Sequence, residues 1–180
     1  GSEMCIRDSY NTIEGGAICC HSQEQYDKLY NLKNFGIRSE ELVVSVGANA
    51  KMNEFQAAMG LCNLKYIDGE IAKREHIADL YISKLKNLPD IYLNYENRSE
   101  KSNYSYFPVL FENKEVRDKV YNCLKANNIY SRKYFYPITA DDMFFGDKYK
   151  KEPLDTARNV SDRVLVLPMY ADMKLSLIHI

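Results

Sequence analysis

The residues most able to do chemistry lie where small side chains lead through an amide into a strong helix former. Val46, Gly47, Ala48 and Asn49 run through Ala50 and Lys51 into Met52, Asn53, Glu54, Phe55, Gln56, Ala57, Ala58, Met59 and Gly60. Gly47 relieves the backbone locally, and Met52, Glu54, Gln56, Ala57 and Ala58 favour helix. A helix is therefore predicted to begin near residues 51–53, with Asn49 just ahead of it. Free backbone N–H groups at a helix start attract anions, and an Asn amide adds two more donors. That chemistry suits a phosphate. The same residues also describe an ordinary capped loop before a core helix, the commoner occurrence.

Other reactive side chains point less clearly. The five cysteines, Cys5, Cys19, Cys20, Cys62 and Cys123, are odd in number and never spaced as CxxC. Adjacent Cys19 and Cys20 in a strand would face opposite ways, which argues against joint metal chelation. They read as reduced and mostly buried thiols of a cytoplasmic protein. With His21, His76 and His179 scattered, a zinc site is not expected. No nucleophile–base constellation stands out.

The elements that must position these residues follow from periodicity. Ala17 to Cys20 is a short apolar run after Gly15 and Gly16, read as a strand leaving a tight turn. Ser22 caps a helix whose Tyr26, Leu29, Tyr30 and Lys33 share one face. From Met52 a long helix is predicted, with Phe55, Met59, Cys62 and Tyr66, then Ile67, Ile71, Ala78, Ile82 and Leu85 at helical spacing. Asp68 and Gly69 mark a break or kink, and Glu70 with Arg74 forms an i,i+4 pair on a solvated face. Ala57, Ala58 and Gly60 would let another backbone approach closely.

After Leu88 and Pro89 the period changes. Strands are predicted from Ile91 to Tyr95 and from Tyr104 to Phe111, around a polar turn holding Arg98, Ser99, Glu100 and Lys101. Val116, Val120, Cys123 and Leu124 make a helix stopped by Asn127 and Asn128. A strand from Ile129 to Tyr136, an irregular aromatic stretch, a short helix from Thr156 to Val160 and a strand from Val164 to Leu167 complete the pattern. The fold class is α/β, the second half being a sandwich with an antiparallel sheet.

Composition sets the outer limits. At 46% hydrophobic, 27% charged and net charge −1, the 180 residues suit a single domain or a small bipartite fold. Nothing demands nucleic acid or an acidic membrane surface, and no apolar run reaches membrane-spanning length. Fifteen Tyr against no Trp favours interfaces and polar ligand pockets. Gly1 and Ser2 resemble a tag-cleavage remnant. Residues 1–9, and the apolar tail over 174–180, resemble translated adapter sequence and are set apart from fold reasoning.

Taken together, five motifs carry a resemblance. They are Asn11-Thr12-Ile13-Glu14-Gly15-Gly16-Ala17, Lys33-Asn34-Phe35-Gly36-Ile37, the Asn49 stretch, Arg132-Lys133-Tyr134-Phe135-Tyr136-Pro137, and Ser161-Asp162-Arg163-Val164-Leu165-Val166-Leu167-Pro168. In this order they resemble the C-terminal half of a nucleotide-sugar aminotransferase of the DegT/DnrJ/EryC1/StrS family, pyridoxal-phosphate enzymes of the aspartate-aminotransferase fold type. The match runs from about Asn11 to Asp172. It implies a division into a large-domain remnant over 10–51, a long bridging helix over 52–88 and a small α/β domain over 89–173. It also implies a homodimer in which Asn49 reaches the partner subunit's cofactor phosphate. Arg132 and Lys133 would pair with a diphosphate, and Tyr134 and Tyr136 would bond sugar hydroxyls. Those four residues read alone also fit a strand whose basic pair merely faces solvent. Glu14, Gly15 and Gly16 read as a structural turn, and Arg38 as a lone loop charge.

One departure from the family pattern matters most. Family members carry the cofactor-linking lysine six residues before the Glu of Glu-Gly-Gly, and that position here is Asp8. A carboxylate neither bonds the cofactor aldehyde nor shuttles the substrate proton, and Lys33 and Lys51 match other family positions. The acid facing the pyridine nitrogen, the ring-stacking aromatic and most phosphate contacts belong to a region not represented in this chain. The expectation is thus a chain that is inactive alone and holds no pyridoxal phosphate tightly. Its parent would transfer an amino group from glutamate to a keto-sugar on a nucleoside diphosphate. A rival reading is a non-catalytic dimerisation module using the small-domain fold.

Overall fold

The computed structural model describes residues 10–93, 102–145, 147–149 and 153–174. Asp8, Cys5 and the leader, the predicted turn at Arg98 to Lys101, and the tail beyond Lys174 lie outside the described residues. The chain forms two compact units, one of residues 10–67 and the other of the described residues from Asp68 onward.

The first unit begins with a turn in which Gly15 N–H donates to the Thr12 carbonyl at 3.0 Å. Residues 17–20 then run without a strand partner, so the expected strand is absent: none of their backbone groups joins a sheet among the described residues. Helix α1 (Gln23–Lys33) starts as predicted at Ser22, whose hydroxyl accepts from Gln25 N–H. Strands β1 (Ile37–Ser39) and β2 (Leu42–Val43) make a small antiparallel pair.

Two glycines let the following loop lock onto the end of α1. Gly36 has φ of +77°, and a Cβ there would collide with the Ser45 carbonyl. A Cβ on Gly47 would strike the Leu32 carbonyl and Gly36 N. Packed this closely, Ala48 N–H donates to Leu32 O at 2.8 Å and Ala50 N–H to Lys33 O at 2.9 Å. The loop thereby satisfies helix C-terminal carbonyls that otherwise lack partners.

The expected long helix, with its break or kink at Asp68 and Gly69, is two helices, α2 (Glu54–Leu64) and α3 (Ile67–Leu85). The break falls at Lys65 and Tyr66, and Asp68 and Gly69 sit inside the first turn of α3. Helix α2 starts at Glu54, one residue beyond the predicted range, because Asn53 and Gln56 form a reciprocal capping box. At the small-residue face it is side chains and not another backbone that come close: the Tyr10 hydroxyl and the Thr12 methyl fill the space a Cβ on Gly60 would need.

The second unit has a true core. Strands β3 (Ile91–Leu93), β4 (Phe107–Phe111) and β5 (Val164–Leu167) form an antiparallel sheet in that order. Strand β4 alternates strictly at its start, with Phe107, Val109 and Phe111 buried and Pro108 exposed. Against it pack Ile77, Ala78 and Tyr81 of α3, spaced for one helical face. The Tyr81 ring lies 4.8 Å from that of Phe107, and its hydroxyl donates to the Pro168 carbonyl at 3.0 Å. Burial raises that phenol's pKa well above its usual value. Helix α4 (Lys114–Ala126) is capped by Asn113, and α5 (Asp155–Arg163) runs into β5.

Three further expectations fail for identifiable reasons. Arg74 is 2% exposed and donates from Nε to the Asn103 carbonyl, while Glu70 pairs with Lys73 at 3.0 Å. The helix has turned Arg74 toward the core side, with Ile77, Ala78 and Tyr81 at the i+3, i+4 and i+7 positions. Residues 129–136 form no strand: only Arg132 pairs, with Val166 on the open edge of β5. Cys19, Cys62 and Cys123 are exposed and Cys20 half-buried, all four free.

Candidate functional site

The segment over 132–136 is built on the second unit. Arg132 is pinned by its main chain: its N–H donates to Val166 O at 3.0 Å, and Val166 N–H donates back at 2.7 Å. Beyond it the chain turns, and Tyr136 N–H donates to the Lys133 carbonyl at 2.8 Å. The Ser161 hydroxyl of α5 donates to the Phe135 carbonyl at 2.6 Å.

Helix α4 supplies a polar stripe to this turn. Lys114, Arg117, Asp118 and Tyr121 fall at i, i+3, i+4 and i+7, so they share one face. Lys133 Nζ lies 2.5 Å from Asp118 Oδ1 and 4.5 Å from the centre of the Tyr121 ring. Arg117 Nε stands 2.8 Å from the same carboxylate oxygen, its guanidinium fully buried and donating to the Val164 carbonyl. Hydrogen bonding from Lys133, aided by the charge of Arg117, holds the Asp118 carboxyl below the usual carboxylate range against the opposing pull of desolvation. Lys114 Nζ donates to the Tyr136 hydroxyl at 2.7 Å and hangs 4.8 Å over the same ring. That hydrogen bond raises the Lys114 pKa.

Arg132 and Tyr134 make a different set of contacts. The Arg132 guanidinium rests 5.9 Å from the Tyr134 ring centre. Tyr134 stacks on Phe135 at 4.8 Å and meets the edge of Tyr106 at 5.8 Å. Below the turn, Arg158 grips Asp141 with Nε and Nη2, the shortest contact being 2.8 Å. The sequence reading missed Lys114, Arg117 and Asp118. The signal was present as polar residues at i, i+3 and i+4 along α4, in the row beside Val116, Val120 and Leu124.

Asn49 sits in the first unit, four residues ahead of the α2 cap and not at the helix start. It is exposed, and its backbone bridges to Asn34. At the α2 start the Asn53 and Gln56 side chains accept from each other's backbone N–H groups. Lys51 donates to the Asn34 side chain at 2.8 Å and lies over the Phe35 ring, and Lys33 lies over Tyr30. A cleft of about 820 Å³ opens between α1 and the segments at 16–20 and 46–50. Its walls are mainly apolar, including Ile18, Leu29, Leu32, Val46 and Ala48, with Tyr26, Tyr30 and Lys33 as polar edges.

Pyridoxal phosphate needs a lysine for its aldehyde, an acid for its ring nitrogen and several donors for its phosphate. The first unit offers an exposed amide at Asn49 and an apolar cleft that no carboxylate lines, whose one lining lysine, Lys33, rests over the Tyr30 ring. These residues alone do not fit the cofactor. Nor do the described residues hold any cluster of three or more His, Cys, Asp or Glu arranged for a metal ion.

Comparison with known proteins bears on the whole chain. The model of the DegT/DnrJ/EryC1/StrS aminotransferase family matches residues 9–179. A dTDP-4-amino-4,6-dideoxy-D-glucose transaminase of Escherichia coli is 43% identical over 171 residues, covering 93% of this chain and 46% of that protein. GDP-perosamine synthase of Escherichia coli O157:H7 is 27% identical over 164 residues, covering 90% and 44%. Among solved structures, DesI in the presence of its TDP-sugar product superposes with a TM-score of 0.80 at 28% identity, over 94% of this chain and 44% of that one. The chain thus spans somewhat under half the length of the relatives it matches.

Proposed function

The chain belongs to the DegT/DnrJ/EryC1/StrS aminotransferase family, and from that premise we propose that it is the C-terminal portion of a nucleotide-sugar aminotransferase. The parent enzyme transfers an amino group from glutamate to a keto-sugar carried on a nucleoside diphosphate, for polysaccharide or deoxysugar synthesis. The observation that carries this reading is the 43% identity to the dTDP-sugar transaminase, sustained across 93% of the chain. Pyridoxal phosphate supplies the electron sink in the parent. In this reading residues 10–51 come from the cofactor domain, 52–88 bridge, and 89–173 form the small domain. Asn49 serves the phosphate at the partner subunit of a homodimer. Arg132, Lys133, Tyr134 and Tyr136 form the substrate side. The free, exposed thiols suit a reducing cytoplasm.

This chain alone does not catalyse the reaction, because Asp8 stands where the lysine is needed. A hybrid tests both halves of the reading. Residues 10–174 are joined to the N-terminal region of the Escherichia coli relative, once with lysine and once with aspartate at position 8. Formation of dTDP-amino-sugar from a dTDP-4-keto-6-deoxy sugar and glutamate is followed by mass spectrometry. The lysine hybrid is expected to make the amine and the aspartate hybrid none. An inactive lysine hybrid that folds and binds pyridoxal phosphate would defeat the reading.

A further inference from the structure

The four substrate-side candidates are divided by their own contacts. The Lys133 charge is met by Asp118 at 2.5 Å, and its ammonium rests on Tyr121. Recruiting it to an anion would break that pair and turn the Asp118 carboxylate toward the incoming negative charge. The Tyr136 hydroxyl accepts from Lys114, and both Lys114 and Arg117 lie against its ring. Arg132 differs: its main chain is fixed on β5, yet among the described residues its guanidinium has no carboxylate partner. Tyr134 has its ring held by Tyr106 and Phe135, while its hydroxyl has no hydrogen-bond partner among the described residues.

We propose that Arg132 and Tyr134 are the pair that meets the nucleotide-sugar, Arg132 at the diphosphate and Tyr134 at a sugar hydroxyl, whereas Lys133 and Tyr136 are positioning residues clamped by α4. The inference rests on the nucleotide-sugar reading above and divides roles within it. An arginine fork matches two phosphate oxygens at once, and a phenol both donates to and accepts from a hydroxyl. A strand would place Tyr136 on the same face as Arg132 and Tyr134. The turn after Lys133 instead delivers Tyr136 to α4.

The test titrates this chain with dTDP, followed by phosphorus NMR, alongside R132Q, R132K and K133Q. R132Q is expected to weaken binding by about tenfold or more, the effect of losing a charge-assisted hydrogen bond. R132K, which keeps charge and loses the fork, should fall between, and K133Q should change binding by less than about threefold. A second readout follows the Asp118 carboxyl by carbon NMR: K133Q raises its titration midpoint and R132Q leaves it in place. Equal losses for R132Q and K133Q would overturn the division of roles. So would an unmoved Asp118 midpoint in K133Q. No dTDP binding by the unsubstituted chain overturns the assignment of Arg132, and leaves the transaminase reading to the hybrid assay.

Discussion

In the unit from Asp68 onward, Leu165, Val109 and Ile77 are almost wholly hidden among Phe107, Phe111 and Tyr81. In the unit over residues 10–67, Val46 is 95% exposed, Phe55 82% and Leu61 68%, and α1 buries no residue at all. Yet the first unit is not loosely specified. Its helix ends are capped, its loop bonds to α1, and Gly36 and Gly47 admit close backbone contact. Local shape is therefore set by hydrogen bonds and glycine fit, while burial depends on what surrounds the unit. Exposed apolar area on that scale calls for a covering surface.

The largest expected effect separates the units by their cores. L165A removes a fully buried side chain and should cost the second unit about 2–5 kcal/mol in denaturant unfolding. L61A in the first unit should stay within about 0.5 kcal/mol. Comparable costs would erase the distinction. Next, G36A should destabilise the loop of the first unit by about 1 kcal/mol or more, since it combines positive φ with collision at Ser45. Faster hydrogen exchange at the Ala48 and Ala50 amides is the readout.

Caps give a finer contrast. N113A and N53A each remove a side-chain acceptor at a helix start, a loss of about 1 kcal/mol. N113A should lower the unfolding midpoint of the second unit, because α4 belongs to its packed structure. N53A should only fray α2, seen as amide exchange confined to its first turn.

The smallest effect is one of pH. The folded Asp118 pKa lies below the unfolded one. Its contribution is complete above the unfolded value and is lost as pH falls through the folded value. The stability gap between the unsubstituted chain and K133Q should therefore narrow over that acidic window. A gap unchanged on acidification would mean that Lys133 stabilises by packing on Tyr121 alone.

Much of this fold is legible from residue patterns. Ser22, the apolar spacing of Val116, Val120 and Leu124, and the Val164 to Leu167 run fix α1, α4 and β5 directly. What escapes is whatever depends on distant neighbours. The run at 17–20 has strand composition but no strand beside it among the described residues. Arg74 looks like a solvated helix charge until α3 is set against the core and the Asn103 carbonyl meets its Nε. Residues 129–136 have the Ile, Tyr and Phe content of a strand, yet after Arg132 the chain turns toward α4. At the candidate site, Arg132, Lys133, Tyr134 and Tyr136 stand out by type. Their separation into clamped and uncommitted pairs depends on Lys114 and Asp118, more than a dozen residues away.

The most direct measurement of the central claim incubates the purified chain with pyridoxal phosphate, reduces with borohydride and maps labelled lysines by mass spectrometry across cofactor concentrations. The account predicts weak labelling spread over surface lysines, with none saturating at low concentration. One lysine saturating alone would contradict it, and would place the cofactor-linking residue within this chain at a position other than the one Asp8 occupies.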